Sequence, residues 1–128
     1  MDVNWVVQAG AVELAFGALS GWIMTLMVER PEVLRRAGVK AMARVRQAHL
    51  DYIIMGVILI ALGLAAPGLD RVWQVLLVVG AWVNPTLFVP LAFRPETQKV
   101  FAYRFITALS FICMSAGTVA AAVYLLGR

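Results

Sequence analysis

The chain has a single histidine, His49, two residues before an aspartate, Asp51, in the string RVRQAHLDYIIMGVILIALGL. A neutral imidazole carries protons or ligates a metal, and a carboxylate in so apolar a run is costly unless it is paired or used. At about 100° per residue, Arg46, His49, Ile53, Gly56, Ile60 and Gly63 share one helical face. The two glycines have two meanings. They allow close helix contact, as small residues do in membranes, or they leave a recess for a large flat ligand. In the second case His49 is the axial ligand and Arg46 lies near any carboxylate the ligand carries. Asp51 is about 200° around the helix from His49, so it faces another helix, another subunit or the headgroup region.

Few other polar groups are set in apolar runs. Pro85 removes a backbone donor and is expected to kink its helix. Asn84, beside it, either satisfies the kinked backbone or borders one cavity with His49, since both lie in the same half of the apolar layer. Glu13 must be protonated or paired at its depth. It shares a face with Gly10, Gly17, Ser20 and Gly21, and an interhelical hydrogen bond is expected there rather than a proton relay. Gln74, at the end of a run, is expected to be satisfied by headgroups and water. Thr107, Ser110, Ser115 and Thr118 can bond their own backbone. The lone Cys113 has no disulfide partner and reads as a small core residue.

The elements that must position these groups follow from composition. Of the 128 residues, 62% are hydrophobic and 14% charged, with a mean hydropathy of +0.86. Soluble domains are roughly half apolar and about a quarter charged, and at this size they bury only about 70% of their chain surface. A soluble enzyme, a disordered chain and a disulfide scaffold are thereby excluded. A span needs about 20 apolar residues, and four runs qualify: 5–28, 49–66, 73–93 and 101–126. None alternates with the period of a barrel strand. Short links make neighbours antiparallel. The expected fold class is all-α: a single-domain, integral membrane four-helix up-and-down bundle over residues 1–128. The first run lacks a basic leader and a small-residue cleavage site, so it is expected to stay as a helix.

Charge sets the expected orientation. Nine of the eleven basic residues, Arg30, Arg35, Arg36, Lys40, Arg44, Arg46, Arg94, Lys99 and Arg104, fall on two alternate links and their flanks. The other side holds Arg71 and Arg128, with Asp2 and Asp70. The positive-inside rule puts the basic links in the cytoplasm and both termini outside the inner (plasma) membrane. Within 31–48, Leu34, Ala37, Ala41 and Val45 form one stripe and Arg36, Lys40 and Arg44 another. This segment reads as an amphipathic helix on the membrane surface or a cytoplasmic extension of the second span. Its basic residues suit anionic lipid; nucleic acid is not an expected partner.

The string around His49 resembles a motif of two related families of small four-helix membrane isomerases, the styrene-oxide isomerases and the hydroxylaminobenzene mutases. The mutases carry Ala-His-Leu-Glu there, with a glycine seven positions beyond the histidine; here AHLD runs from Ala48 to Asp51, and Gly56 has that spacing. The isomerases share the Arg, the Ala-His and that glycine. Their Gly-Trp-Ser-Asn string is approximated by AWVN, giving Trp82 and Asn84. The resemblance implies a homotrimer holding haem b at the subunit interface through His49, with Arg46 and Gly56 beside the cofactor and Asn84 near the open coordination position. It implies a ferric iron acting as a Lewis acid, and isomerase or mutase activity on a small apolar substrate of aryl epoxide or arylhydroxylamine type. Two family donors are replaced: an asparagine six residues after the histidine is Met55, and a tyrosine four after the helix-three asparagine is Phe88. Beside this reading stand a non-catalytic haem-binding sensor or carrier and a structural subunit of a membrane complex.

Overall fold

A computed structural model describes residues 4–127. Asp2 and Arg128, counted above among the charges of one side, lie outside the described residues. The described chain is helical, without strands. Its helices are α1 (Trp5–Leu19), α2 (Gly21–Glu29), α3 (Pro31–Arg36), α4 (Met42–Ala65), α5 (Arg71–Thr86), α6 (Phe88–Phe93) and α7 (Phe101–Leu126), with a 3-10 turn at Pro95–Lys99. Four stretches are long and apolar enough to cross a membrane: Trp5–Glu29, Met42–Ala65, Arg71–Phe93 and Phe101–Leu126.

α1 starts at Asn4, whose side-chain oxygen accepts from the backbone N–H of Val6 at 2.8 Å. The same amide donates to the carbonyl of Gly63 at 3.0 Å, fixing the start of α1 against the end of α4. The two helices therefore run antiparallel. They also approach very closely. A Cβ on Gly10 would lie 2.8 Å from the carbonyl oxygen of Gly56, and one on Gly56 would lie 2.7 Å from the backbone nitrogen of Leu14. α5 and α7 meet in the same way, with Gly80 against Met114 and Gly117 against Leu77. Val6, Leu59, Leu77, Ala81, Met114 and Ala121 form the main buried cluster.

The basic segment differs from a single amphipathic helix. Pro31 suits the first helical position of α3, and the helix stops before Gly38, whose φ of 104° lies in the left-handed region that glycine tolerates. The turn brings Val39 inward beside Leu34 and Ala92, with Met42 and Val45 packed around them. Ala37, expected on that stripe, is exposed. The N–H groups of Lys40 and Ala41 both donate to the carbonyl of Ala92, at 2.8 and 3.0 Å. From Met42 onward the segment is the first part of α4, so the second span begins seven residues before the expected position 49.

The third span is interrupted. Pro85 sits inside α5, which ends one residue later, and α6 resumes at Phe88 with Pro90 inside it. Pro90 has no N–H to return to the carbonyl of Thr86, four residues back, which accounts for the break. The hydroxyl of Tyr103 donates to the carbonyl of Leu87 at 2.6 Å, in the break itself. Gln74, expected to rely on water and headgroups, instead accepts from the indole N–H of Trp5 at 2.7 Å.

Candidate functional site

His49 is half-buried near the start of α4, facing the junction of α1 and α2. Its Nδ1 lies 2.8 Å from the carbonyl oxygen of Gly17 and 2.7 Å from Oγ of Ser20. The Ser20 hydroxyl donates to the same carbonyl. A carbonyl only accepts, so Nδ1 carries the proton, and Nε2 of a neutral ring keeps its lone pair. Among the described residues no group engages Nε2, and it reaches the surface rather than being sealed in. Ligating histidines are commonly held this way, with the other ring N–H on a backbone carbonyl. Arg46 stands one turn before His49 on α4 and is exposed.

Gly56 has a different role from the one the resemblance implies. It is buried between α4 and α1, with the backbones of Leu14 and Gly10 where its side chain would be. Gly63 meets Val6 and Val7 in the same contact. The glycine face of α4 is a helix-packing surface, and it offers no open recess for a flat ligand within one subunit. The imidazole fits an axial ligand; the glycine face does not fit a porphyrin seat. Among the described residues no group of three or more His, Cys, Asp or Glu side chains is placed to hold a metal ion.

Asn84 lies on another side of α4. It lines a cavity of about 530 Å³ between α4, α5–α6 and α7, together with Asp51, Met55, Phe88 and Tyr103. His49 is absent from that wall. The expectation that His49 and Asn84 border one cavity is therefore corrected: their directions from α4 diverge. The lining does collect Met55 and Phe88 beside Asn84. Arg44 and Arg104 line it at the basic end.

Asn84 does not cap the proline-broken backbone. Its Oδ1 accepts from the hydroxyl of Ser110 on α7. Thr107 and Thr118 bond their own helix, at 2.9 and 2.7 Å, but Ser110 is buried and points to α5. Tyr52 is also buried; its hydroxyl is 2.6 Å from that of Thr86, which donates to the carbonyl of Trp82. Its ring packs edge-on against Phe16, with centroids 4.8 Å apart.

Glu13 is 0% exposed, and neither carboxyl oxygen has a hydrogen-bond partner. The interhelical hydrogen bond expected for it does not form. Asp51 is close enough to act on it electrostatically.

Sequence reasoning left Ser20, Asp51 and Ser110 without a site role. The signals were there for two of them: Asp51 shares a helical face with Arg44 and Met55, seven residues before and four after, and Ser20 is one turn from Gly17 on the face of Glu13. Comparison with protein-family models, curated proteins and solved structures finds no match for this chain.

Proposed function

We propose that this chain is an integral membrane four-helix up-and-down bundle that binds haem b through Nε2 of His49. The observation that carries this reading is the imidazole itself, with Nδ1–H committed to Gly17 and Ser20 and Nε2 open at the surface. Large apolar side chains exposed along the long helices, such as Trp22 at 74% and Leu64 at 68%, support immersion in lipid, where such a surface is not penalised. The basic end is assigned to the cytoplasm of the plasma membrane and both termini to the outside, on charge bias.

The reaction assigned is an isomerase or mutase reaction on a small apolar substrate of aryl epoxide or arylhydroxylamine type. Haem iron, when bound, supplies a Lewis acid that polarises an oxygen without proton bookkeeping. The chain's own residues do the rest. Ser20 and Gly17 hold the ring of His49 in one tautomer, and Arg46 is placed for a carboxylate. Asn84, its Oδ1 fixed by Ser110, offers amide hydrogens to a substrate oxygen in the cavity. Because His49 and Asn84 face different sides of α4, one subunit does not bring both to one ligand. Copies of the chain must share the site, and the resemblance makes the assembly a homotrimer.

A second reading, a haem-binding sensor or carrier without turnover, is favoured by one observation: Met55 and Phe88 put apolar groups on the cavity wall where the related families carry donors. One preparation tests both. Detergent-purified protein from haem-replete cells is expected to show a Soret band that is lost in His49→Ala; folded, colourless wild-type protein overturns haem binding. Turnover of an aryl epoxide or an arylhydroxylamine by the coloured protein establishes the enzyme, and a coloured protein that turns over neither establishes the sensor or carrier.

A further inference from the structure

α4 packs on α5 and α6, and α7 packs on α5, but α4 and α7 barely touch each other. The cavity of about 530 Å³ is therefore a groove between α4 and α7, floored by the third span and open sideways. Most of its wall is apolar, with Met55, Leu87, Phe88, Leu91 and Phe111. Arg44 on α4 and Arg104 on α7 flank its basic end. Arg44 is close enough to act electrostatically on Tyr103, the neighbour of Arg104. Among the described residues no ion pair engages either arginine; one guanidinium N–H of Arg44 goes to Gln47 at 2.8 Å. Asp51 lies two turns further along α4, about 10 Å from Arg44 at the helical rise. Like charges at one mouth repel each other unless an anion lies between them. Arg104 also borders a second recess, of about 410 Å³, with Lys99, Phe101 and Phe105. The two rings stack with centroids 6.1 Å apart, and Phe101 is 80% exposed. Arg104 thus stands between two apolar troughs at the end of the span where the basic residues gather.

We propose that this place binds one anionic phospholipid. The phosphate lies among Arg44, Lys99 and Arg104, one acyl chain lies in the groove between α4 and α7, and the other follows Phe101 and Phe105. Charge and shape both favour this occupant. Basic pockets between membrane helices on the cytoplasmic side take anionic headgroups. A groove left empty in hydrocarbon forfeits the contacts that a chain makes with its walls. A soluble anion satisfies the arginines but leaves both troughs bare. A zwitterionic lipid fills the troughs but brings its own cation to the arginines. The inference rests on the membrane immersion proposed above, and not on haem or on turnover. Where the groove is also the substrate chamber, acyl chain and substrate exclude one another.

The test is native mass spectrometry of the full chain in mild detergent, titrated with dioleoylphosphatidylglycerol or with dioleoylphosphatidylcholine, which has the same chains. A cation beside an anionic headgroup is worth about fivefold in binding. Wild-type protein is therefore expected to hold one phosphatidylglycerol per chain, at least about tenfold more tightly than phosphatidylcholine. Arg44→Gln and Arg104→Gln are each expected to weaken phosphatidylglycerol about fivefold and to leave phosphatidylcholine unchanged. Arg104 is exposed, so its variant reads binding without a folding defect. Removing two cations from α3 with Arg35→Gln and Arg36→Gln together is expected to leave the preference unchanged. Ala108→Trp, which narrows the groove, is expected to weaken both lipids, and soluble glycerol 3-phosphate is expected to displace neither. Equal binding of the two lipids by wild type overturns the lipid site. So does a loss in the α3 variant as large as in the two groove variants, unchanged binding in Ala108→Trp, displacement by glycerol 3-phosphate, or a lipid-free oligomer. Alkaline extraction of cell membranes separates the two levels of failure. A chain that washes off overturns the immersion and the lipid site with it; a chain that stays in the membrane without the preference overturns the lipid site alone.

Discussion

Nδ1 of His49 lies 2.8 Å from the carbonyl oxygen of Gly17, across the contact between α4 and α1. The histidine is thus oriented by a neighbouring helix and not by its own. Ser20, at the junction of α1 and α2, closes the arrangement by placing its Oγ 2.7 Å from the same nitrogen. Two partners on one nitrogen leave the other nitrogen for a ligand, so the tautomer of this ring is a property of how α1 packs on α4.

Removing one partner tests that dependence. In Ser20→Ala the Gly17 carbonyl still accepts from Nδ1–H, so the tautomer persists with a looser ring. Loss of a partner behind a ligating histidine typically lowers metal affinity by about tenfold or more. Haem titration of the purified variant is expected to show about a tenfold weaker site with a Soret band retained, against complete loss in His49→Ala. Equal affinity in Ser20→Ala and wild type would remove Ser20 from the site.

Gly56 separates a packing role from a cofactor role. A methyl group there meets the backbone nitrogen of Leu14 at 2.7 Å, and backbone cannot swing aside as a side chain can. Gly56→Ala must push α1 away from α4. Overpacking of this kind costs about 1–3 kcal/mol, and it acts whether or not haem is present. Unfolding of haem-free protein in a denaturing detergent is expected to show the loss. A variant as stable as wild type without haem, but defective in taking it up, would return Gly56 to the cofactor.

Much of this architecture is legible in the sequence, because long apolar runs and the residues that end them are local signals. The four long helices follow from such runs and Pro31 marks the start of α3, but the turn at Gly38 that cuts α3 short carries no periodic signal. What periodicity does not carry is which helix a given face meets. The glycines sharing the face of His49 were compatible with a packing contact and with an open recess, and only the position of α1 decides between them. Asp51 and Asn84 sit on different helices, and their common cavity depends on the break at Leu87 and on Tyr103 reaching across to it. Ser110 looked like one more hydroxyl bonding its own helix until α5 is set beside α7. α4 starts seven residues before position 49 for a simpler reason: its first turns are charged, and an apolar run stops where the helix does not.

Asn84 and Ser110 couple α5 to α7 through a buried hydrogen bond between two side chains. Such bonds in membrane helices are worth about 0.6 kcal/mol on average and up to about 1.7. A double-mutant cycle with Asn84→Ala and Ser110→Ala, read by unfolding, is expected to give a coupling energy within that range. Ser110→Ala alone also frees Oδ1 of Asn84, so the amide gains rotational freedom beside the cavity. Turnover that depends on Asn84 is therefore expected to fall in Ser110→Ala although Ser110 does not line the cavity. Additive single effects would mean that the two side chains hold no shared bond.

Glu13 gives the sharpest expectation about stability. Its side chain is fully buried on the face of α1 that carries Gly10 and Gly17, and neither oxygen finds a donor. A buried polar group without a partner costs about 1–3 kcal/mol. Methionine has nearly the same length and no group to satisfy, so Glu13→Met is expected to stabilise the protein by about 1 kcal/mol or more. Glu13→Ala removes the orphan but leaves a void against α4, and is expected to fall below Glu13→Met by about 2–5 kcal/mol. Unfolding midpoints of the three proteins in one detergent decide the matter. Should Glu13→Met be less stable than wild type, the carboxyl group makes an interaction that stabilises the fold, and its place in the interior would be structural and not a tolerated cost.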